Sequence, residues 1–250
     1  MRVGFIGAGN MATALARGWG DPVLCTDHGS GRAAALAAEL GGEALDSNLA
    51  LAQRADVVVL AHKPAQLTDV AYEVAGAART VVSLLGGTPQ ADVRAAYPGA
   101  TVFRLEPNTP VEVGRGVLAF AEPDAPVDAD VFAAVKAQFG RLGVVIEVPE
   151  RLIGVAGACS GVGPAYWALV AEAWIDAAIR RGMPAPVATQ LVTETMAGSA
   201  ALLAHRGGDT LALRRAVTSP GGSTARGLAA LERGGVRTAL AAAMDDVVGA

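Results

Sequence analysis

Gly7, Gly9 and Ala12 stand in the order G-x-G-x-x-A within GFIGAGNMA, directly after an apolar run and before a helical one. That spacing suits a pyrophosphate. Gly7 permits a tight turn, Gly9 lets backbone N–H groups approach an anion, and small Ala12 lets the helix pack on the strand while its N-terminus faces the charge. The glycine pattern alone is also found in purely structural turns. Its place in a strand–helix–strand unit, with Asp27 about 20 residues past Gly7 at the end of the next apolar run, makes it a dinucleotide-binding loop. Asn10 and Met11, at the helix start, join Gly7, Gly9 and Asp27 as cofactor-binding candidates. Asp27 would accept hydrogen bonds from both adenosine ribose hydroxyls and repel a 2′-phosphate, which favours NADH. Ser30 and Arg32 argue for NADPH, because an arginine in the loop can clamp a phosphate. The expected cofactor is NADH or NADPH, with a slight preference for NADH.

LAHKP, closing the DVVVL run, puts Ala61, His62, Lys63 and Pro64 at the carboxyl edge of a sheet, where ligands of open α/β folds sit. Lysine occurs only at 63 and 136, the other basic residues being arginine, which singles out Lys63 as a group able to reach a ribose or nicotinamide. His62 reads as a supporting group rather than a proton shuttle. Three further segments, RLEPNTPVEVGRG, CSGVGPAYWALVAEA and TSPGGSTARG, place hydroxyls and free backbone N–H groups at a helix start or sharp turn. Such turns hold a small anion without a basic side chain. In the last of them, Pro220 and the glycines stop one helix, and Ser223 or Thr224 is positioned to cap the next.

The elements that must position these residues fall into two halves. Up to residue 150, β-rich runs at 2–7, 22–26, 56–61, 80–85 and 100–105 alternate with helical stretches at 11–18, 31–40, 66–77 and 90–96. Strands alternating with helices mean βαβ units and a parallel sheet, and runs apolar on both faces mean helices on each side of it. Two more strands, 116–120 and 144–148, flank a helix at about 128–139. From 151 to 250 the expectation is all helix, at 164–181, 185–204, 209–217 and 224–248. Pro164 suits a first helical turn and Gly182 a helix stop. The predicted domains are therefore 1–150, dinucleotide-binding, and 151–250, helical.

Composition excludes several alternatives. A net charge of −4, with only three Trp, three Tyr and five Phe, offers neither a basic footprint nor stacking platforms for nucleic acid. Cys25 and Cys159 have no partner in C-x-x-C spacing, and with His28, His62 and His205 scattered, no metal site is expected. The N-terminus lacks the apolar run and cleavage site of a signal peptide, so a cytoplasmic protein is expected. The uncharged stretch 152–171 is interrupted by Gly154, Gly157, Gly161, Gly163 and Pro164, which argues against a membrane span. The apolar excess of the helical half points instead to a second copy of the chain.

GFIGAGNMA, the KP at 63–64, PNTP at 107–110, SGVGPAY at 160–166, GSAALL at 198–203 and SPGGSTARGLAALERGGVR at 219–237 occur in an order that resembles the pyrroline-5-carboxylate reductase family through nearly the whole chain. The resemblance implies a Rossmann-type doubly wound sheet followed by an all-α dimerisation domain. It also implies a homodimer with each active site completed at the interface, larger oligomers being left open. The implied reaction is hydride transfer from NADH or NADPH to the C=N bond of 1-pyrroline-5-carboxylate, giving L-proline. Carried over by position, Ser219, Gly222 and Ser223 would hold the substrate carboxylate, with Thr224 as the catalytic hydroxyl on the ring nitrogen. Asn48 would lie near the adenosine and Lys63 near the nicotinamide ribose. An imine nitrogen is basic enough to arrive protonated, so a positioned hydroxyl and correct hydride geometry suffice without a strong general acid.

Two positions depart from the family's pattern: Glu106 stands where Met-Pro-Asn is usual, and His62 where valine often precedes Lys-Pro. A carboxylate at 106 either pairs with an arginine such as Arg104 or Arg115 or changes what is bound. The chain also stops soon after the GGVR helix, which favours a dimer over ring-like assemblies. Two rival readings follow: a reductase of a different imine on the same fold, motivated by Glu106, and a non-catalytic dinucleotide-binding regulator, against which the SPGGST turn argues.

Overall fold

The computed structural model describes residues 1–74 and 76–249. The chain divides into two compact units, Met1–Pro164 and the residues from Ala165 onward. The first begins with β1 (Val3–Ile6), α1 (Asn10–Trp19), β2 (Leu24–Thr26), α2 (Arg32–Leu40), β3 (Glu43–Ala44), α3 (Asn48–Arg54) and β4 (Val57–Leu60). It continues with α4 (Leu67–Val74), β5 (Thr80–Ser83), α5 (Gln90–Ala96), β6 (Thr101–Pro107), β7 (Gly116–Ala121), α6 (Ala129–Gly140), β8 (Gly143–Val148) and α7 (Ile153–Ser160).

The eight strands lie in the order β3-β2-β1-β4-β5-β6-β7-β8. All neighbours are parallel except β6 and β7. Strand order reverses at β1, so the crevice at the carboxyl ends of β1 and β4 is the topological switch point of a doubly wound, Rossmann-type sheet. The strands read as unbroken apolar runs because both faces are covered. Val3 and Phe5 of β1, with Val57 and Val59 of β4, enter a core containing Leu15, Trp19, Phe103, Phe120, Phe132 and Phe139. Ile6, Val58 and Leu60 enter the opposite core with Leu51, Val70, Val93 and Tyr97. On the first face the rings form a chain, Phe5 to Trp19 at 5.9 Å, Trp19 to Phe139 at 5.1 Å and Phe139 to Phe120 at 5.7 Å between centroids. Each such buried side chain contributes roughly 1.5–3 kcal/mol relative to an exposed one, which anchors α1 and α6 to the sheet.

The sequence reading leaves 41–55 unassigned, and the structure puts β3 and α3 there. β3 is two exposed residues and α3 only seven, too short to show a period. Ser47 nevertheless starts α3 as an N-cap, its Oγ accepting the Ala50 N–H at 3.1 Å. α3 packs closely on β1, since a Cβ at Gly4 would come within 2.6 Å of the Leu51 side chain. α7, also unassigned from sequence, forms in spite of Gly154 and Gly157 and contributes Ile153 to a small core with Ala119 and Ala121 of β7. That packing carries the compact unit past the composition change near Pro149 as far as Pro164.

The second unit is helical: the body of α8 (Gly163–Ile179), then α9 (Ala185–His205), α10 (Thr210–Ala216), α11 (Ser223–Arg233) and α12 (Val236–Val248). Pro164 sits in the first turn of α8 as its fixed φ favours. The single helix expected over 224–248 is two helices, because Gly235 turns left-handed at φ 78° after Gly234 closes α11. Residues Glu150–Ile179 are long and apolar enough to cross a membrane by length and composition. They are not one rod: a short 3-10 turn opens the segment and a turn at Gly161 and Val162 separates α7 from α8.

Candidate functional site

The carboxyl ends of β1, β2, β4 and β6 border a cleft of about 910 Å³. Its lining brings together every dinucleotide-binding candidate named above: Gly7, Gly9, Asn10, Met11, Asp27, Asn48, Ala61 and Lys63. Gly7 is required by its backbone. Its φ is 100°, and a Cβ there would lie 2.7 Å from the Ala61 carbonyl oxygen, so the β1–α1 turn and the end of β4 approach as only glycine allows. Gly9, the N-cap of α1, has an ordinary extended backbone, and a Cβ there would meet nothing within 4 Å, so the protein's own packing does not demand glycine and the helix start opens onto free space. No side chain caps α1 and no acidic residue occupies its first turn. The unsatisfied N–H groups of that turn, reinforced by the helix dipole, form an anion site of the kind a pyrophosphate fills. Ala12, fully buried, closes the helix onto the sheet.

At the β2 end, Asp27 is held by its own loop. Its Oδ1 accepts the Gly29 N–H at 2.9 Å, and its Oδ2 accepts the Ser30 hydroxyl at 2.7 Å and the Ala33 N–H at 2.9 Å. The Ala33 amide, then the Ser30 hydroxyl, hold the carboxyl below its ordinary range, so it is ionised at neutral pH. His28, Ser30 and Arg32 line the same end of the cleft. Asn48, buried at the start of α3, is oriented from both sides: the Thr26 hydroxyl donates to its Oδ1 at 2.6 Å, and its Nδ2 donates to Glu73 at 2.6 Å. This link between β2, α3 and α4 escapes sequence reading because Thr26 and Glu73 belong to no motif.

At the β4 end, Lys63 is exposed, and its backbone N–H donates to Gln66 at 3.1 Å. The His62 ring places Nδ1 2.9 Å from the Lys63 carbonyl, which assigns the proton to Nδ1. Burial lowers its pKa, keeping the ring neutral, and its Nε2 is buried without a partner. Farther along the edge lie Leu84, Glu106 and Pro107. The arginine pairing weighed for Glu106 does not occur: Arg104 reaches Glu150 at 3.1 Å, and neither Arg104 nor Arg115 forms an ion pair with Glu106. The two side chains share a face of β6, yet the guanidinium is drawn to the acidic partner beyond β8. Asn108 is structural, its amide donating to the Ser160 carbonyl at 3.2 Å and accepting the Val117 N–H at 2.8 Å.

In the helical unit, Ser219, Gly222, Ser223 and Thr224 come together at the α10–α11 turn. Gly221 is left-handed at φ 68°, and the Gly222 N–H donates to the Ser219 carbonyl at 3.1 Å. A Cβ on Gly222 would be 2.4 Å from the Ser219 Oγ, so the serine hydroxyl folds over the helix start only because 222 is glycine. The N-cap is Gly222, not Ser223 or Thr224, and it makes no side-chain cap bond. Ser223 and Thr224 are therefore the first two helical residues, and their hydroxyls are not spent on capping. The Arg226 guanidinium donates to the Gly221 carbonyl at 2.7 Å and holds the turn from below. The arrangement is a second uncapped helix start with free hydroxyls and no acidic residue in its first turn, suited to a carboxylate.

Residues 150–249 match the family described as pyrroline-5-carboxylate reductase dimerisation, and residues 2–87 match that described as NADP oxidoreductase, coenzyme F420-dependent. The chain is 33% identical to pyrroline-5-carboxylate reductase 3 of Mus musculus over 98% of its own length and 92% of the relative's. Among solved structures it is similar to the pyrroline-5-carboxylate reductase of Coxiella burnetii, with a TM-score of 0.86 and 30% identity, covering 99% of this chain and 96% of that one. It is also similar to the pyrroline carboxylate reductase of Plasmodium falciparum solved with NADP bound, with a TM-score of 0.86 and 26% identity, covering 99% and 95%.

Proposed function

This chain belongs to the pyrroline-5-carboxylate reductase family, and from that premise we propose that it reduces the C=N bond of 1-pyrroline-5-carboxylate to L-proline using NADH or NADPH. A bound dinucleotide would supply a hydride to the imine carbon, the C=N π pair passing to a nitrogen that arrives protonated and becomes the ring amine. The α1 start holds the pyrophosphate on the amides of Gly9, Asn10 and Met11. Asn48, fixed by Thr26 and Glu73, borders the adenosine, and Lys63 takes the nicotinamide ribose. Ser219, Ser223 and the amides after Gly222 hold the substrate carboxylate. The Thr224 hydroxyl hydrogen-bonds the ring nitrogen, and each active site is completed in a homodimer.

The observation that carries this reading is the Ser219–Thr224 turn, where an uncapped helix start coincides with hydroxyls that make no cap bond of their own. A helix linker needs the glycines but not the free serine and threonine. Following dinucleotide absorbance with pyrroline-5-carboxylate tests the reading; absence of turnover with both NADH and NADPH would favour the different imine. Thr224→Ala should lower kcat by about tenfold or more while leaving dinucleotide affinity within twofold, as for a hydroxyl acting at the reacting nitrogen. Unchanged kcat removes Thr224 from the mechanism.

Cofactor choice turns on Asp27 and Arg32. Asp27 keeps its negative charge where a 2′-phosphate would sit, although its own loop occupies much of its accepting capacity, while Arg32 offers the opposite charge. The balance gives NADH a small advantage.

A further inference from the structure

Glu106 is a carboxyl group placed at one end of the cleft with nothing to neutralise it. It sits near the carboxyl end of β6, half-buried, and shares the cleft lining with Leu84 and Pro107. The chain makes room for it. A Cβ on Gly157 of α7 would lie 3.3 Å from the Glu106 Cγ and 3.4 Å from its Oε1, and one on Gly161 would lie 3.6 Å from the same oxygen. Among the described residues the carboxyl forms neither an ion pair nor a side-chain hydrogen bond, since Arg104 is committed to Glu150. Burial raises its pKa from the ordinary carboxylate range, with only partial relief from Arg104. A carboxylate in these surroundings gains from any cation a ligand brings.

The direction of the bound dinucleotide follows from the fold. With the pyrophosphate at the α1 start and the adenosine over Asp27 at the end of β2, the nicotinamide would lie past β4, toward β6. Oxidised and reduced dinucleotides differ there in one respect that matters electrostatically: the oxidised ring is cationic and the reduced ring is neutral. We propose that Glu106 reads the redox state of the nicotinamide, its carboxylate making the cleft favour the oxidised dinucleotide over the reduced one. This rests on the dinucleotide reading of the cleft. It concerns positive charge at the ring, so the same carboxylate favours the charge that develops there as hydride departs.

Calorimetric titration of the full-length protein at pH 8 tests it, using NAD⁺, NADH, NADP⁺, NADPH and ADP-ribose, which lacks the nicotinamide. In whichever oxidised and reduced pair binds more tightly, Glu106→Gln should shift the ratio of the two dissociation constants by about tenfold toward the reduced form, the scale of one unit charge across a partly solvated site. Glu106→Asp, which keeps the charge, should leave the ratio within about threefold of the wild-type value, and ADP-ribose should bind the variants and the wild-type protein alike. A ratio unchanged in Glu106→Gln, or shifted equally in Glu106→Asp, overturns the proposal while intact ADP-ribose binding preserves the dinucleotide reading. Failure of the wild-type protein to bind ADP-ribose or any of the four dinucleotides overturns both.

Discussion

Asp27 and Glu106 are both carboxylates at the sheet edge, and their surroundings push them in opposite directions. Two amides and a hydroxyl stabilise the charge on Asp27, whereas burial penalises the charge on Glu106. For Asp27, replacement by Asn removes the charge while keeping an oxygen for the loop amides. The ratio of kcat/KM for NADPH to that for NADH should rise about five- to tenfold, and an unchanged ratio would assign cofactor choice elsewhere. For Glu106, the native pKa lies above the unfolded one, so the unfolded chain gives up its proton first as pH rises. The group's contribution is thus neutral below the ordinary carboxylate range and becomes a loss of stability as pH climbs through the native value. Glu106→Gln should therefore melt higher than the wild-type apoprotein at pH 8 and equally near pH 4, with roughly 2–4 °C for each kcal/mol recovered. A lower melting point at pH 8 would mean that the carboxylate has a stabilising partner. Asp27 is legible in the sequence because its distance from Gly7 is fixed by the length of one helix and one strand. The isolation of Glu106 is not, because which acid an arginine on β6 chooses depends on where the end of β8 lies.

At the scale of elements, the proposed binding falls to two helix starts, and glycine matters at each for a different reason. At α1 the constraint is on the backbone: Gly7 has a positive φ and abuts the end of β4. Gly7→Ala should lose more than about 1–2 kcal/mol, since the backbone penalty for an L-residue adds to a contact with an immovable carbonyl. Urea denaturation would measure the loss, and dinucleotide affinity should fall with it; a stable variant with normal affinity would show that the turn can relax. At α11 the constraint is on a neighbour, because a Cβ at 222 would push the Ser219 hydroxyl out of the place it occupies. The spacing of these glycines identifies both starts from sequence. Hydroxyl residues are the usual N-caps, which from sequence points to Ser223 or Thr224. The left-handed Gly221 and extended Gly222 decide instead where the helix begins, shifting both hydroxyls into its first turn. Likewise β3 and α3 are too short for periodicity, and the expected helix over 224–248 passes through a Gly-Gly pair that the structure uses as a corner.

At the scale of the whole molecule, the two units solve burial differently. The sheet unit buries all its aromatic side chains but Tyr72, in cores on the two faces of the sheet. In the helical unit, by contrast, Trp167, Leu169, Trp174, Leu191, Leu231 and Leu240 are each more than half exposed, and α8, α10, α11 and α12 contain no buried residue. A helical module this apolar and this uncovered needs a partner surface, in keeping with its match to a dimerisation family. Light scattering at micromolar concentration should report a dimer whose melting temperature rises with concentration. Trp174→Glu, which puts a charge on α8, should weaken the dimer and lower that temperature; a wild-type monomer would contradict the assembly.

The sequence alone determined what depends on neighbours along the chain: the glycine loop between a strand and a helix, the alternation that requires a parallel sheet, the change to helices after Pro149, and the Ser219–Thr224 turn. These are local because turn geometry, strand burial and helix starts are set by a few consecutive residues. Tertiary structure decided everything that depends on which side chain meets which across the sheet. It gave Asn48 two partners from β2 and α4, turned Arg104 toward Glu150, and left the Glu106 carboxylate beside two glycines in the lining of the cleft. Partner choice among charged groups follows distances through space, and those exist only once the strands have taken their order.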